Sequence, residues 1–194
     1  MIIIDCGHGG IIDGKYVTAP NKMHTFNDGL TIYEGVINRA IGSKLEARLQ
    51  EVGIKFFSLN THDQKDMPLH IRTDKINKIA GPNDWVLSIH SNAGGGKGFE
   101  IFTSVGETYS DTIADILAAH YKANFPNIKF RQDMTDGDAD KEANFWMLRK
   151  TKCPSVLVEN LFFDNREEAE LLMSDEFQME IADALFDGIK EIEL

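Results

Sequence analysis

The chain has 194 residues, of which 42% are hydrophobic, and a formal net charge of −11. This length suits one globular domain with a sizeable core, and the acidic balance argues against a nucleic-acid-binding protein, which requires a basic face. No apolar run approaches the roughly 18 to 20 residues of a membrane-spanning helix. The start lacks a basic segment followed by an apolar stretch and a cleavage site, so no ordinary secretion signal is predicted.

Apolar periodicity predicts alternating strands and helices along the first half of the chain. The predicted elements are strands at 2–5 and 54–59 and helices at 32–52 and 67–80. Gly53 is expected to cap the first helix, and Pro68 to lie in the first turn of the second. The segment 11–31 is rich in Gly, Pro, Asn and Asp, which predicts a long irregular loop.

The second half of the chain continues the alternation. The predicted elements are strands at 85–89, 99–103 and 155–158, a helix at 111–124, and two acidic helices that close the chain. Such alternation is typical of an α/β fold. We therefore expect one domain, residues 1–194, with a mostly parallel twisted sheet flanked by helices on both faces.

Four polar residues are predicted to meet at one edge of this sheet. His8, His90 and Glu159 follow predicted strands, and Glu34 lies in the first turn of a predicted helix. In an open α/β sheet, functional groups gather outside the carboxyl ends of the strands. Two histidines and a carboxylate are a standard catalytic zinc set, and a second carboxylate nearby can act as general base. The spacing does not decide which of the two glutamates is the ligand.

The segment Asp5-Cys6-Gly7-His8-Gly9-Gly10 admits other interpretations. A phosphate-binding loop is disfavoured, because no helix starts there and no lysine follows. Cys6 suggests a metal thiolate or a nucleophile, but a small buried residue after a strand explains it equally well. His8 and His90 can also be read as a turn residue and a strand-end residue without chemistry, and Glu34 as an acid favoured by the helix dipole.

Several segments resemble the zinc-dependent N-acetylmuramoyl-L-alanine amidases, the family of bacterial cell-separation amidases and many phage endolysins. The segment around His8 is similar to the family's Asp-Pro-Gly-His-Gly-Gly opening. The resemblance then continues in the family's order along nearly the whole chain, at Glu34 with Asn38-Arg39, at Arg72, at 88–93 with 98–101, and at 156–165.

This resemblance implies that His8, Glu34 and His90 bind Zn²⁺ and that Glu159 is the catalytic carboxylate. The implied reaction is hydrolysis of the peptidoglycan amide between N-acetylmuramic acid and the L-alanine of the stem peptide. A zinc peptidase acting on another amide of cell-wall peptides is the alternative, and a non-catalytic wall- or metal-binding module is a third reading. The implied place of action is the bacterial cell wall, reached by phage-type release after cytoplasmic synthesis or as a trimmed exported domain.

Three features depart from the family pattern. Cys6 stands where the family has proline, and Leu161 where it has glycine after the catalytic glutamate. Neither change removes a ligand, so both bear on local loop shape. The segment 11–31 is longer than the family's short turn and is expected to shape the peptide side of the groove. Among the remaining histidines, only His24, within this segment, is placed to reach the site.

Overall fold

The computed structural model describes residues 1–135 and 137–194. Within them, a central sheet has six strands in the order β6-β1-β7-β10-β8-β9, and two small two-stranded sheets lie outside it. The strands are β1 (Ile2–Cys6), β2 (Ile11–Ile12), β3 (Lys15–Tyr16), β4 (Met23–Thr25), β5 (Thr31–Tyr33), β6 (Phe56–Ser58), β7 (Trp85–Asn92), β8 (Glu100–Thr103), β9 (Lys141–Glu142) and β10 (Ser155–Phe162). The helices are α1 (Glu34–Val52), α2 (Leu69–Ile79), α3 (Tyr109–Asn124), α4 (Trp146–Lys150), α5 (Arg166–Met173) and α6 (Asp175–Glu193).

The central sheet is mostly parallel, as predicted. Strands β6, β1, β7 and β10 run parallel to one another, whereas β8 is antiparallel to β10. A strand buried on both faces needs apolar side chains at successive positions. In β1, Ile2 and Ile4 pack into the larger core on one face, and Ile3 packs into the smaller core on the other.

Helices cover both faces of the sheet, as the sequence predicts. Side chains of α1, α3, α5 and α6 build the larger core, while α2 and α4 cover the opposite face. Gly53 ends α1 in the left-handed conformation, with φ of 74°. Pro68 is the residue before α2 and does not lie in its first turn. No helix of the described residues combines the length and apolarity that a bilayer crossing requires.

The segment 11–31 differs from the predicted irregular loop, because it contains two hairpins. Strands β2 and β3 are joined by Asp13-Gly14, whose φ values of 50° and 73° are those of a tight two-residue hairpin turn. Strands β4 and β5 pair next, and β5 leads directly into α1. These strands are two or three residues long, too short for alternating hydrophobicity to reveal them.

Candidate metal centre

The structure brings all four predicted site residues to one edge of the sheet. His8 follows β1, Glu34 is the first residue of α1, His90 lies in β7 and Glu159 lies in β10. His90 and Glu159 are direct partners in the pairing of these parallel strands. The expectation that both residues follow the ends of their strands is wrong. Strands β7 and β10 continue beyond His90 and Glu159, to Asn92 and Phe162, because polar side chains do not interrupt main-chain hydrogen bonding.

His8, Glu34 and His90 converge on one point. Glu34 Oε1 lies 3.2 Å from His8 Nε2 and 3.1 Å from His90 Nδ1. The ligand atoms of the three side chains all lie within 4.8 Å of one another. Glu34 is 1% exposed, whereas the His8 and His90 side chains are 19% and 15% exposed. The open side of the group is therefore the histidine side.

This donor set fits a zinc ion. Two imidazole nitrogens and one carboxylate oxygen are typical of a catalytic zinc site with an open fourth position. Bonds of about 2.0 Å in a tetrahedron place neighbouring donors about 3.3 Å apart. The distances of 3.2 and 3.1 Å from Glu34 Oε1 to the two imidazole nitrogens are close to this value. His8 Nε2 and Glu34 Oε2 are buried without a hydrogen-bond partner among the described residues. Such atoms are rare in folded proteins, and a bound cation would satisfy both.

Gly7 makes room for the His90 ring. A Cβ atom at position 7 would lie 2.2 to 2.6 Å from three atoms of that ring. The next residue, His8, has φ of 64°, in the left-handed region that few residues other than glycine adopt. The chain thus turns sharply after β1, with one histidine in the turn and the other packed against it.

Two buried arginines hold the main chain of this turn. Arg39 donates from Nη2 to His8 O at 2.7 Å and from Nη1 to Gly7 O at 3.4 Å. Arg72 donates from Nη2 to His8 O at 3.4 Å, and its Nη1 pairs with the buried Asp5 carboxylate at 3.0 Å. Both arginines lie at positions that carry the family resemblance, and both contact the backbone of His8 rather than its ring.

The start of α1 is fixed by the segment that precedes it. The amide of Gly35 donates to Tyr16 Oη at 3.0 Å, and the amide of Glu34 donates to Lys22 O at 3.0 Å. Asn38, one turn along the helix, donates to Glu34 Oε1 at 3.4 Å. No sequence pattern indicated Tyr16, because its hairpin lies inside the predicted irregular loop.

Burial and mutual contact shift the pKa of the four predicted site residues. Burial would raise the pKa of Glu34, but close contact with the His8 and His90 rings holds it below its usual range. Burial lowers the pKa of His8. Burial acts in the same direction on His90, yet the carboxylates of Glu34 and Glu159 outweigh it and raise that pKa. Burial raises the pKa of Glu159 to about 7, where a carboxyl group can both accept and donate a proton.

A cleft of about 260 Å³ opens onto the site. Its walls are His8, Lys22, Leu69, His90, Phe145, Trp146, Met147, Leu157 and Glu159. Glu159 Oε2 is buried there without a hydrogen-bond partner in the described part of the chain. The aromatic pair Phe145-Trp146 in a polar stretch is the signal from which this apolar wall could have been predicted. His24 packs on Phe26, with ring centroids 4.4 Å apart, and does not line the cleft.

Cys6 has the features of a small buried residue. It is fully buried, and its amide donates to Asn60 Oδ1 at 2.7 Å, a bond that proline could not make. Burial raises the pKa of its thiol to about 12, so the thiol is neutral at physiological pH. Its Sγ atom lies 3.5 Å from Thr61 Oγ1, and Cys6 is not part of the group of metal-ligating side chains.

Leu161 adopts a backbone conformation suited to glycine. Its φ is 59°, and the pairing of β10 with β7 shifts register between Glu159 and Phe162. The Leu161 side chain is nevertheless fully buried. The departure from the family's glycine therefore leaves the bulge in place and adds an apolar side chain to the larger core.

Sequence comparison decides the family. The model of the N-acetylmuramoyl-L-alanine amidase family matches residues 2–191. The chain belongs to this amidase family. Among curated relatives, the endolysin of Bacillus phage SPP1 is 33% identical over 193 residues, which cover 99% of this chain and 65% of that protein. The N-acetylmuramoyl-L-alanine amidase CwlM of Bacillus licheniformis is 32% identical over 191 residues, covering 97% and 66%. The chain thus spans slightly less than two thirds of each.

Solved amidase structures share the fold. The crystal structure of N-acetylmuramoyl-L-alanine amidase from Clostridium difficile 630 superposes with a TM-score of 0.78 at 24% identity, covering 98% of this chain and 94% of that one. The amidase Ami1 from Mycobacterium smegmatis gives 0.79 at 21% identity, with coverage of 99% and 96%. At these identities the likeness concerns the fold alone.

Proposed function

We propose that this chain is a zinc-dependent peptidoglycan hydrolase that cleaves the amide between N-acetylmuramic acid and the L-alanine of the stem peptide. His8, Glu34 and His90 hold the metal, and Glu159 is the catalytic carboxylate. The observation that carries the proposal is the convergence of three ligand atoms within 4.8 Å of one another, beside a cleft that His8, His90 and Glu159 line. Family membership gives independent support, and residues 1–194 then form one catalytic domain acting on the bacterial cell wall.

The chemistry falls to Glu159 and its surroundings. Zinc, when bound, supplies a Lewis acid and makes water a better nucleophile near neutral pH. Glu159 accepts a proton as water attacks the amide carbon, and returns it to the alanine nitrogen as the carbon–nitrogen bond breaks. Pairing of β10 with β7 holds Glu159 beside His90. Asn160 strengthens this link, because its Nδ2 donates to His90 O at 3.0 Å.

Digestion of purified peptidoglycan tests this proposal. We expect mass spectrometry to find stem peptides with a free L-alanine amino end, formed by the zinc-loaded protein and lost after complete chelation. Products cut at another amide would instead assign a zinc peptidase. Binding without cleavage would assign a wall-binding module, and cleavage that persists after zinc removal would contradict the metal's role.

The same digest with Glu159→Gln, together with a measurement of bound zinc, distinguishes a general base from a metal ligand. Loss of a general acid–base group lowers turnover by about 10²- to 10⁴-fold. We expect Glu159→Gln to show this loss while still binding one equivalent of zinc, and Glu107→Gln, at an exposed position before α3, to retain full turnover. Undiminished turnover of Glu159→Gln would place the base elsewhere.

A further inference from the structure

The cleft has one permanent positive charge among the described residues that line it. Lys22 is the single lysine or arginine in its walls. The Lys22 side chain is 40% exposed, and its Nζ lies 3.5 Å from Glu34 Oε2. The other lining residues are two histidines, one glutamate and apolar side chains. A ligand that enters the cleft therefore meets one ammonium group against an apolar wall.

The backbone of Lys22 is fixed relative to the site, while its side chain is partly exposed in the cleft. Its carbonyl accepts the amide hydrogen of Glu34 at 3.0 Å. The next residue, Met23, pairs with Tyr33, which directly precedes α1. This pairing anchors the lysine to the same helix start that presents Glu34. The four-carbon stem then carries the ammonium group over a few ångströms within the cleft.

The contact between Lys22 and Glu34 is a weak one. At 3.5 Å it exceeds the usual 2.7–3.2 Å range of nitrogen–oxygen hydrogen bonds, and Glu34 Oε2 has no hydrogen-bond partner. A divalent cation held by His8, Glu34 and His90 would attract this carboxylate and repel the ammonium group. Lys22 is then available to pair with an anion that the substrate brings.

We infer that Lys22 recognises a carboxylate on the second residue of the stem peptide, the residue that follows the L-alanine at the cut amide. Lys22 would then make the enzyme prefer stem peptides in which this carboxylate is free. This inference rests on the proposed function. In a muramyl peptide, L-alanine is followed by an acidic residue whose free carboxyl group is in some walls an amide. One extended residue spans about 3.3–3.6 Å, a distance that a lysine side chain can bridge from the cleft wall.

Two synthetic substrates test the inference, a muramyl peptide with a free carboxylate at the second residue and the matching carboxamide. We expect the wild-type protein to favour the carboxylate by about five-fold in kcat/KM, mainly through KM, as suits one half-exposed ion pair. This ratio should fall to about one in Lys22→Met, remain in Lys22→Arg, and shrink at high salt. Lys15→Met, an exposed lysine of the neighbouring hairpin, should keep the wild-type ratio.

Calorimetric binding separates this inference from the proposed reaction. Zinc-loaded Glu159→Gln is titrated with each peptide, with and without Lys22→Met. Five-fold tighter binding of the carboxylate, abolished by Lys22→Met, supports the inference even where no cleavage is seen. Equal binding of both peptides, or a preference that survives Lys22→Met, overturns it even where cleavage is efficient.

Discussion

Residues without chemistry of their own determine where the ligands of this site lie. Gly7 leaves the volume that the His90 ring fills, and Arg39 holds the carbonyl of His8 at 2.7 Å. Tyr16 accepts a hydrogen bond from the first turn of α1, next to Glu34. Supporting contacts of this kind orient metal ligands, and their loss commonly weakens metal affinity by about 10- to 100-fold.

Replacement of Gly7 tests this dependence. In Gly7→Ala, the new Cβ would lie 2.2 Å from His90 Cε1, so the ring must move. We expect zinc affinity, measured by competition with a chromophoric chelator, to fall by about 10- to 100-fold. In Gly81→Ala the nearest atom to the Cβ is Asp84 Oδ2 at 3.5 Å, an ordinary contact, so this variant should bind zinc like wild type. Unchanged affinity of Gly7→Ala would refute the steric argument.

At the scale of elements, β10 contains a bulge directly after Glu159, between Glu159 and Phe162. Leu161 sits in this bulge with φ of 59°, a conformation that costs a residue with a Cβ atom about 1–2 kcal/mol. Burial of its side chain offsets that cost, since a buried leucine is worth about 2–5 kcal/mol relative to alanine. The bulge is thus stabilised by packing rather than by backbone preference.

Two substitutions at Leu161 separate backbone strain from packing. Both Leu161→Ala and Leu161→Gly lose the buried side chain, but glycine alone relieves the strain. We expect the glycine variant to be the more stable by about 0.5–1 kcal/mol in urea unfolding. At Leu157, also buried in β10 but without positive φ, the alanine variant should be the more stable. If the alanine and glycine variants had the same order of stability at both positions, backbone strain at Leu161 would be contradicted.

Elements with several turns or residues of regular pattern were predictable, whereas most of the shortest ones were not. Helix α1 follows from apolar residues three or four apart and ends at Gly53, and β1 follows from its isoleucines. Strands β2 to β5 and helix α4 have two to five residues each, so tertiary contacts rather than periodicity define them. Residue types and predicted strand ends grouped His8, Glu34, His90 and Glu159 as candidates, and the structure brings them together, although His90 and Glu159 lie within their strands. Lys22 lies in a segment without a pattern and was missed.

At the scale of the whole molecule, the proposed zinc site links segments far apart in sequence. The three proposed ligands belong to the turn after β1, to α1 and to β7. A ligand that binds only the folded state stabilises it by about 2.7 kcal/mol at 100 times Kd. For a protein of this size, a stabilisation of that magnitude raises Tm by about 5–10 °C.

Thermal unfolding with and without zinc measures this linkage. We expect Tm of the wild-type protein to rise by about 5–10 °C at saturating zinc and to return after chelation. His90→Ala lacks one ligand and should show little zinc-dependent shift. A wild-type Tm that does not respond to zinc would argue against a metal site at these three residues.

The order of strands in the sheet also has a consequence for synthesis on the ribosome. Strand β10 lies between β7 and β8, so the sheet is in two parts until residues 155–162 leave the exit tunnel. Glu159 arrives with that strand, long after His8, Glu34 and His90 have been translated. A nascent chain thus acquires its proposed general base only when the sheet closes. Under the proposed function, a nascent chain that lacks β10 is not expected to cleave peptidoglycan.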